Sequence, residues 1–509
     1  MSQPCVIGLD LGTSGTRGVL YGIDGAPLAT AHHDYPLYTP HPGWAEQDPL
    51  AVWQAVLAVL SELAQRLPPK TSIGAIGLST IFHSLLAVDQ DGSPLTRTII
   101  WADTRSRHQV EQIRNVPGQA EAFYQKTGCP LHPMYLTGKI SWLRETQPDV
   151  FARVACFGSL KDDVLARLTG RRVIDSSVAS ATGLFNLHTG DWDREILDAI
   201  GINVDRLPAV VEPTDVVGGL ADEPARQVGL PSGIPIVAGA GDGVLSSLGS
   251  GAIAPGQMTV MIGTSGAARI AVDAPKLDPH GRTWCYYLAR RRWLAGAAIN
   301  NGGLACRWVR DNLLPGPPAP SDEFDFPTLE SEAEKAAPGS GGLIFLPFLT
   351  GERSPYWNAS ARGILFGLAA HQGPPQVARS ILEGVCFRMR SIVDALDEVA
   401  GPTREVRATG GFTRSQFWRQ MLSDVLGKPM VLPAESEASA FGAAGLAWLA
   451  IGAFQTLEDV AKLVQVGPGP SPDPRRHQLY NRLYQIYLDI YWANQSNFSA
   501  IAAIQEELG

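Results

Sequence analysis

The chain has 509 residues, of which 45% are hydrophobic and 18% charged, and its formal net charge is −9. This length and composition predict a globular protein of two or three domains, and the acidic balance excludes the basic surface that nucleic-acid binding requires. The six scattered cysteines form no CxxC pair, and no apolar stretch reaches the roughly 18–20 residues of a membrane span, so we expect neither a zinc site nor a membrane anchor, and a cytoplasmic location.

The first predicted elements form a strand, a glycine turn and a second strand. Residues 6–9 are an apolar strand that ends at Asp10, and residues 17–21 form the next strand. Between them lies the sequence GTSG at 12–15, which is rich in backbone N–H and hydroxyl donors. Turns of this kind bind phosphate because their amides converge on an anion without an intervening side chain.

A helix and a third central strand are predicted next. Pro49 opens the helix, whose apolar residues recur at helical spacing, and residues 73–78 form the strand. The strand leads into a polar turn that ends at His83. Strands with an interposed helix indicate a mixed α/β sheet.

A carboxylate follows a later glycine-rich strand end. Residues 234–238 are predicted to be a strand, residues 239–243 read GAGDG, and a helix follows over 244–248. The glycines around Asp242 would allow a substrate hydroxyl to approach closely, so Asp242 is the candidate general base of a phosphoryl transfer. The alternative interpretation is an ordinary turn aspartate, since Asp-Gly is common in turns.

The strand–turn–strand pattern then occurs a second time. Residues 258–262 are a strand, residues 263–266 again read GTSG, and residues 268–272 form the next strand. Two such loops, one in each half, predict two similar lobes that hold one nucleotide. We therefore divide the chain into an N-terminal lobe (1–247), a C-terminal lobe (248–455) and a C-terminal helical extension (456–509).

The last third of the chain contains helices and one further glycine turn. The proline-rich stretch 315–320 is predicted to be a loop, and residues 377–399 a long helix. A strand at 406–409 leads into Gly410-Gly411-Phe412, after which Ser415 is expected to cap a helix that ends at residue 426. Paired glycines allow an adenine or a ribose to pack closely, although strand–glycine–helix turns are common in general.

Three side chains near these turns have both a functional and a structural interpretation. Asp10 can hold Mg²⁺, directly or through water, or it can cap a turn. Arg17 can bind phosphate or lie at the strand edge facing solvent. His83 can contact a substrate held at Asp242 or can be a structural histidine.

Taken together, these residues resemble the FGGY family of carbohydrate kinases over nearly the whole chain. The segments that match the family's two signatures are residues 139–143 (KISWL), 363–368 (GILFGL), 376–377 (QV) and 380–383 (SILE). The resemblance implies an α/β fold of the two-lobed, actin-like (ribonuclease H-like) ATPase type, with a cleft between the lobes. It also implies a kinase that uses ATP and Mg²⁺.

Within the family, the chain resembles the members that act on gluconate more than those that act on xylulose. The supporting segments are residues 38–40 (YTP), 45–49 (AEQDP), 83–84 (HS), 101–106 (WADTRS), 127–134 (TGCPLHPM), 241–246 (GDGVLS), 300–303 (NNGG) and 351–355 (GERSP). Xylulose kinases typically have Met-His-Gly at the position of His83-Ser84 and lack the LHPM run.

The resemblance also implies roles for individual residues. Asp242 matches the catalytic aspartate, and Asp10 matches the aspartate associated with Mg²⁺. His83, Asp103 and Asp242 are expected to contact the sugar. The expected nucleotide-binding residues are Thr13, Ser14 and Arg17 in the first phosphate loop, Thr264 in the second, and Gly303, Gly411 and Ser415.

The function implied is ATP-dependent phosphorylation of D-gluconate to 6-phosphogluconate. A pentulose kinase and a non-catalytic, actin-like sugar sensor are the alternatives. Because gluconate carries a carboxylate, its site is expected to contain a cation, for which Arg105, His132, Lys139 and Lys161 are the candidates. We expect a small-molecule substrate and neither a nucleic-acid nor a membrane partner; dimers are common in the family, so a homodimer is compatible with the resemblance.

Overall fold

The computed structural model describes residues 4–314, 327–434 and 437–508. The proline-rich loop predicted at 315–320 lies outside these ranges. Two large sheets dominate the described part of the chain, one built before residue 250 and one after it. Among the described residues, no helix is both long and apolar enough to cross a membrane.

The strands before residue 250 are β1 (Cys5–Leu11), β2 (Gly15–Tyr21), β3 (Pro27–Asp34), β4 (Leu37–Tyr38), β5 (Glu46–Gln47), β6 (Ile73–Thr80), β7 (Leu86–Val88), β8 (Thr98–Ile99), β9 (Cys156–Gly158), β10 (Val173–Asp175), β11 (Phe185–Asn186), β12 (Asp191–Trp192), β13 (Ala209–Val211), β14 (Val216–Gly219) and β15 (Pro235–Gly241). The later strands are β16 (Gln257–Ile262), β17 (Gly266–Val272), β18 (Trp284–Ala289), β19 (Arg292–Ile299), β20 (Ile344–Leu346), β21 (Ile364–Phe366), β22 (Glu405–Thr409), β23 (Met430–Pro433) and β24 (Val466–Pro468).

The helices before residue 250 are α1 (Pro49–Gln65), α2 (Arg107–Arg114), α3 (Gln119–Thr127), α4 (Leu136–Thr146), α5 (Pro148–Arg153), α6 (Leu160–Thr169), α7 (Ser176–Ser180), α8 (Arg194–Ile200), α9 (Asp222–Val228) and α10 (Asp242–Gly249). The later helices are α11 (Gly303–Leu313), α12 (Pro327–Glu334), α13 (Pro374–Ala400), α14 (Gln416–Leu426), α15 (Ala438–Ala450), α16 (Leu457–Ala461), α17 (Pro474–Ala493) and α18 (Gln495–Leu508). Short 3₁₀ turns occur at Val204–Arg206, Ser340–Gly342 and Gly411–Arg414.

The two large sheets repeat one pattern of strand pairing. The first has the order β14-β15-β6-β1-β2-β3, and the second has the order β18-β19-β17-β16-β22-β23-β24. β1 pairs antiparallel with β2 and parallel with β6, as β16 pairs antiparallel with β17 and parallel with β22. The repeated glycine turn of the sequence is therefore part of a repeated supersecondary unit.

The local sequence explains why these central elements form where they do. β1 is buried along almost its whole length, as expected for a strand with a parallel neighbour whose two faces are both covered. α1 begins where predicted: Asp48 caps it by accepting a hydrogen bond from the backbone N–H of Leu50, and Pro49 occupies the first turn. Its apolar face packs in the same core as β1.

One helix from the C-terminal part of the chain lies against the first sheet. α15 packs on β1, β6 and α10. The approach is close because glycines face the helix: a Cβ built on Gly8 would lie 1.9 Å from the carbonyl oxygen of Ala440, and one on Gly77 would lie 2.1 Å from that of Ala443. Only glycine permits backbone contacts of this kind.

The end of the chain packs on the second sheet. β24 pairs with β23 at its edge, and the buried tyrosines of α17 lie in the same hydrophobic core as β16 and α13. The aromatic-rich segment that begins near residue 475 is therefore a packing helix.

Candidate active site

The carboxyl ends of β1, β15 and β16 meet at a cleft between the two sheets, and two cavities open there. The first has a volume of about 230 Å³ and contains aromatic side chains together with His83. The second has a volume of about 250 Å³ and contains Asp10 and Gly410. Asp242 and Arg269 line both cavities, so these two side chains mark the point where the cavities meet.

Asp242 is the first residue of α10 and directly follows β15. The backbone N–H of Gly243 donates to its Oδ1 at 2.6 Å. Burial raises the pKa of Asp242 to about 7, with a further rise from the nearby charge of Asp10 and an opposing effect from Arg269. A carboxyl group with a pKa near neutrality is suited to accept a proton from a hydroxyl group.

Asp10 lies near the end of β1 and faces the second cavity. Its Oδ1 is buried and has no hydrogen-bond partner among the described residues. Burial raises the pKa of Asp10, whereas the hydroxyl of Ser79 and the charge of Arg17 lower it. An unsatisfied carboxylate oxygen beside a second carboxylate fits Mg²⁺, which takes a few protein oxygens and keeps several waters.

The first phosphate loop, residues 12–15, is held by neighbouring side chains. The Gln47 amide donates to the carbonyl oxygens of Gly12 and Thr13, at 3.0 and 2.7 Å. The indole N–H of Trp101 donates to the Thr13 hydroxyl at 3.2 Å. Ser14 is exposed. The fixed loop leaves Thr13 on the wall of the first cavity.

The second phosphate loop, residues 263–266, is joined to the start of α11. The backbone N–H of Gly303 donates to the carbonyl of Gly263 at 2.8 Å, and that of Leu304 donates to the carbonyl of Thr264 at 3.1 Å. Thr264 itself is exposed. The structure thus brings Thr264 and Gly303 together.

Arg17 lies on β2, next to the first phosphate loop, and forms an ion pair across the cleft. Its Nη1 lies 2.5 Å from Oε2 of Glu437, the residue that precedes α15. Both side chains are partly exposed, so the pair is accessible from solvent. Glu437 also lines the second cavity, a position that was not predicted from the sequence.

The glycine turn after β22 combines an open and a structural element. Gly410 lines the second cavity, and Gly411 begins the 3₁₀ turn that follows. The hydroxyl of Ser415 accepts a hydrogen bond from the backbone N–H of Trp418 at 2.9 Å and so caps α14, as predicted. Ser415 is buried and lines neither cavity.

His83 lines the first cavity in an uncommon backbone conformation, with φ of 62°. Its Nδ1 lies 2.7 Å from the carbonyl oxygen of Ala181. Burial lowers the pKa of His83 to about 3, so the ring is neutral near pH 7. Because a carbonyl oxygen only accepts, Nδ1 carries the proton, which leaves Nε2 as an acceptor for a ligand hydroxyl.

The structure does not bring Asp103 to the site, contrary to the expected contact with the sugar. Its carboxylate is fully buried outside both cavities and pairs with Arg105 at 2.7 Å. It also accepts from the backbone N–H of Ala45 at 2.7 Å. These contacts give Asp103 a structural role in holding the segment before α2.

None of the four cations proposed from the sequence lines either cavity. Arg105 also pairs with Glu46, and buried Lys161 pairs with Asp175. Lys139 is buried and donates to the carbonyl of Ile100 at 2.9 Å. His132 packs against Trp357 with the two rings tilted, and burial lowers the pKa of His132 to about 3.

The first cavity instead contains two arginines that the sequence analysis did not select, Arg269 and Arg353. Arg269 interrupts an otherwise apolar strand, and this isolated charge was the available signal. Arg353 belongs to the segment 351–355 quoted for the family resemblance. Burial lowers the pKa of both guanidinium groups, and both carry a positive charge because a guanidinium keeps its proton in proteins.

Aromatic side chains form much of the remaining wall of the first cavity. Trp284 and Tyr286 stack with ring centroids 4.1 Å apart, and Tyr286 also packs against His83. Trp101 and Trp357 line the same cavity. Flat apolar rings beside a few polar groups are typical of sites that orient a small polar ligand.

Comparison with known families gives two matches that together span most of the chain. Residues 5–249 match the N-terminal domain of the FGGY family of carbohydrate kinases, and residues 258–451 match its C-terminal domain. Gluconokinase from Bacillus subtilis (strain 168) is 36% identical to this chain, in an alignment that covers 99% of this chain and 98% of that protein.

Two solved structures from Lactobacillus acidophilus have similar folds. A gluconate kinase superposes with a TM-score of 0.93 at 35% identity and covers 98% of this chain and 99% of its own. A ligand-bound xylulose kinase also gives a TM-score of 0.93 at 35% identity, covering 98% of this chain and 100% of its own. The two-lobed α/β fold predicted from the sequence is therefore confirmed.

Proposed function

Because the chain belongs to the FGGY family of carbohydrate kinases, we propose that it transfers the γ-phosphoryl group of ATP to the terminal hydroxyl of D-gluconate. The product is 6-phosphogluconate. The similarity of the chain, along its full length, to a gluconokinase supports this choice of acceptor.

One observation carries the choice of an acidic sugar. The charged side chains that line the first cavity are Asp242, Arg269 and Arg353. Two guanidinium groups and one carboxylate leave an excess of positive charge in a mostly aromatic space. An anionic acceptor compensates that charge, whereas a neutral sugar leaves it unbalanced.

In the proposed reaction, the side chains of this chain bind and orient the two substrates. The neutral His83 ring accepts a hydrogen bond from a sugar hydroxyl at Nε2. Asp242 takes the proton of the terminal hydroxyl of the sugar. At the same time, the oxygen of that hydroxyl forms a bond to the γ-phosphorus. The bond between the γ-phosphorus and the oxygen that bridges the β- and γ-phosphates breaks. Such transfer depends mainly on positioning and charge neutralisation.

The nucleotide is assigned to the second cavity and the loops around it. Backbone N–H groups of the two GTSG loops, with Thr13, Ser14 and Thr264, would hold the phosphates, and Arg17 would leave Glu437 to join them. Gly303 and Gly411 would allow close approach of the nucleoside. Ser415 would act only through the helix cap that fixes this turn.

Asp10 would hold Mg²⁺ through its unsatisfied oxygen, directly or through water, with Asp242 nearby. When bound, Mg²⁺ would neutralise charge on the phosphates.

The pH dependence of the reaction follows from the raised pKa of Asp242. The base must be ionised to accept a proton, so kcat/KM is expected to fall below about pH 7, by about tenfold per pH unit once Asp242 is mostly protonated. Initial rates in buffers of constant ionic strength between pH 5 and 9 check this. A flat profile across pH 5 to 7 would contradict the assignment of Asp242 as the titrating base.

An ADP-release assay with MgATP tests the acceptor. D-gluconate, D-xylulose, D-ribulose and glycerol are compared at matched concentrations, and the highest kcat/KM is expected for gluconate. A xylulose kinase is the second candidate, because a solved xylulose kinase matches this chain as well as a gluconate kinase does. Preference for a ketopentose would overturn the proposed acceptor and leave the kinase chemistry in place.

A further inference from the structure

We propose that Arg353 binds the carboxylate of the acidic sugar and so selects acids over neutral polyols. This inference rests on the proposed function and names the side chain that binds the carboxylate of the acceptor. In an extended six-carbon acid, the carboxylate and the terminal hydroxyl lie at opposite ends of the molecule. With that hydroxyl at Asp242, the carboxylate needs a cation at the other end of the cavity.

The two cavity arginines differ in the cavities they line and in the groups on which their charges act. Arg269 lines both cavities, and its charge acts directly on Asp242. Arg353 lines only the first cavity, and its charge acts on His83 and on His132 behind the wall. Arg269 is therefore beside Asp242, where the two cavities meet, and Arg353 is beside His83, close enough to Arg269 for the two charges to act on each other.

The guanidinium of Arg353 keeps donors for a ligand. One of its Nη atoms donates to the carbonyl of Ile299 at 3.1 Å. Its Nε is buried and has no hydrogen-bond acceptor among the described residues. A buried N–H without a partner is costly, and the parallel donors of a guanidinium match the two oxygens of a carboxylate.

The backbone on both sides of Arg353 is fixed by a buried ion pair. Glu352 accepts from the backbone N–H of Arg353 at 2.9 Å and from that of Asn300 at 2.6 Å. Its other oxygen pairs with Arg388 of α13 at 3.2 Å, and Arg388 also donates to the carbonyl of Ser354 at 2.7 Å.

This ion pair also accounts for the charge balance of the segment. The carboxylate of Glu352 is neutralised by Arg388, which is completely buried with it. The charge of Arg353 therefore has no carboxylate of its own within hydrogen-bonding distance among the described residues. The neighbouring charge of Glu352 also acts on Arg353, but without direct contact. A cation on a fixed backbone in an aromatic cavity, with no carboxylate in hydrogen-bonding distance, is suited to select an acid by its charge.

The test compares D-gluconate with D-glucitol, the neutral polyol in which CH₂OH replaces the carboxylate. We measure kcat and KM for both acceptors with the wild type, Arg353→Gln, Arg353→Lys and Arg269→Gln. For Arg353→Gln, the gluconate-to-glucitol ratio of kcat/KM is expected to fall about 10- to 150-fold, mainly through the KM for gluconate. Arg353→Lys keeps the positive charge but lacks the two parallel N–H donors of the guanidinium. It is expected to lower the gluconate-to-glucitol ratio by a smaller factor.

Arg269→Gln is the matched control, since it removes the other cavity cation. It is expected to lower kcat/KM for both acceptors and to change their ratio less than Arg353→Gln does. A wild-type ratio in both Arg353 variants, with unchanged thermal unfolding, would overturn the inference while leaving the proposed function intact. Failure of the proposed function would appear separately, as no gluconate preference in the wild type. If Arg353→Gln does not fold, the KM of Arg353→Lys decides the question.

Discussion

Replacing Asp242 with asparagine is expected to lower kcat by about 10²- to 10⁴-fold, with little change in the affinity for gluconate. The amide keeps the shape of the side chain and its place at the start of α10, but it cannot take the proton of the sugar hydroxyl. Single-turnover assays and isothermal titration with gluconate would measure the two effects separately. Turnover near the wild-type rate in a folded variant would remove the central assignment of the site.

The same substitution is expected to raise the melting temperature. The pKa of Asp242 is about 7 in the folded protein, well above its ordinary value of 3.8, so ionisation is disfavoured by folding. Wild-type stability therefore falls as the pH rises from about 4 to about 7 and then levels off. The advantage of the asparagine variant should grow over this range, as happens when an active-site group is held at a cost to stability.

Asp103→Asn is the matched control, because Asp103 is a buried carboxylate that is paired. Its carboxylate accepts from Arg105 and from the backbone of Ala45. Removing that charge weakens a buried ion pair, so the melting temperature should fall. Opposite signs for Asp242→Asn and Asp103→Asn would distinguish a strained functional carboxylate from a structural one. An increase in both would contradict the structural role given to Asp103.

The second large effect is expected at the contact between α15 and the first sheet. Gly8→Ala would place a methyl group 1.9 Å from the carbonyl oxygen of Ala440, and Gly77→Ala would place one 2.1 Å from that of Ala443. The clash is with helix backbone, which cannot rotate away. Each variant is expected to lose at least the roughly 1–3 kcal/mol typical of overpacking, or not to fold.

Chemical denaturation followed by circular dichroism measures this loss. Gly467→Ala is the control, because Gly467 also lies in a strand and its added Cβ would meet its nearest neighbour at an ordinary 3.6 Å. Its midpoint should stay close to that of the wild type. Unchanged midpoints for Gly8→Ala and Gly77→Ala would contradict the close packing of α15 on β1 and β6.

Local patterns were sufficient to predict the repeated strand–loop–strand units. The strands on either side of each GTSG loop are apolar runs, and the glycine turns between them follow from residues only a few positions apart. Asp242 could be selected for the same reason, since its glycine-rich setting is a local feature. The parallel pairing of β1 with β6, and of β16 with β22, was not predicted, because it joins segments that lie far apart in the chain.

Features that depend on packing between distant segments could not be predicted in this way. Arg353 is a cavity residue in a segment that is held by the pair of Glu352 with Arg388, far away in the chain. Asp103 has an acidic side chain in a family-like segment, yet its carboxylate is already occupied by Arg105. The position of α15 on the first sheet likewise depends on close approaches at Gly8 and Gly77 that no sequence period reveals.

The helix pair α10 and α15 has a mechanical consequence. The two helices pack against each other between the two sheets, and Asp242 begins one of them while Glu437 precedes the other. If the lobes rotate about this helix pair, residues far from the pair move over long distances and residues beside it hardly move. The phosphate loops would then travel toward a nearly stationary Asp242. During such a closure the base would keep its position, and the nucleotide would move toward it.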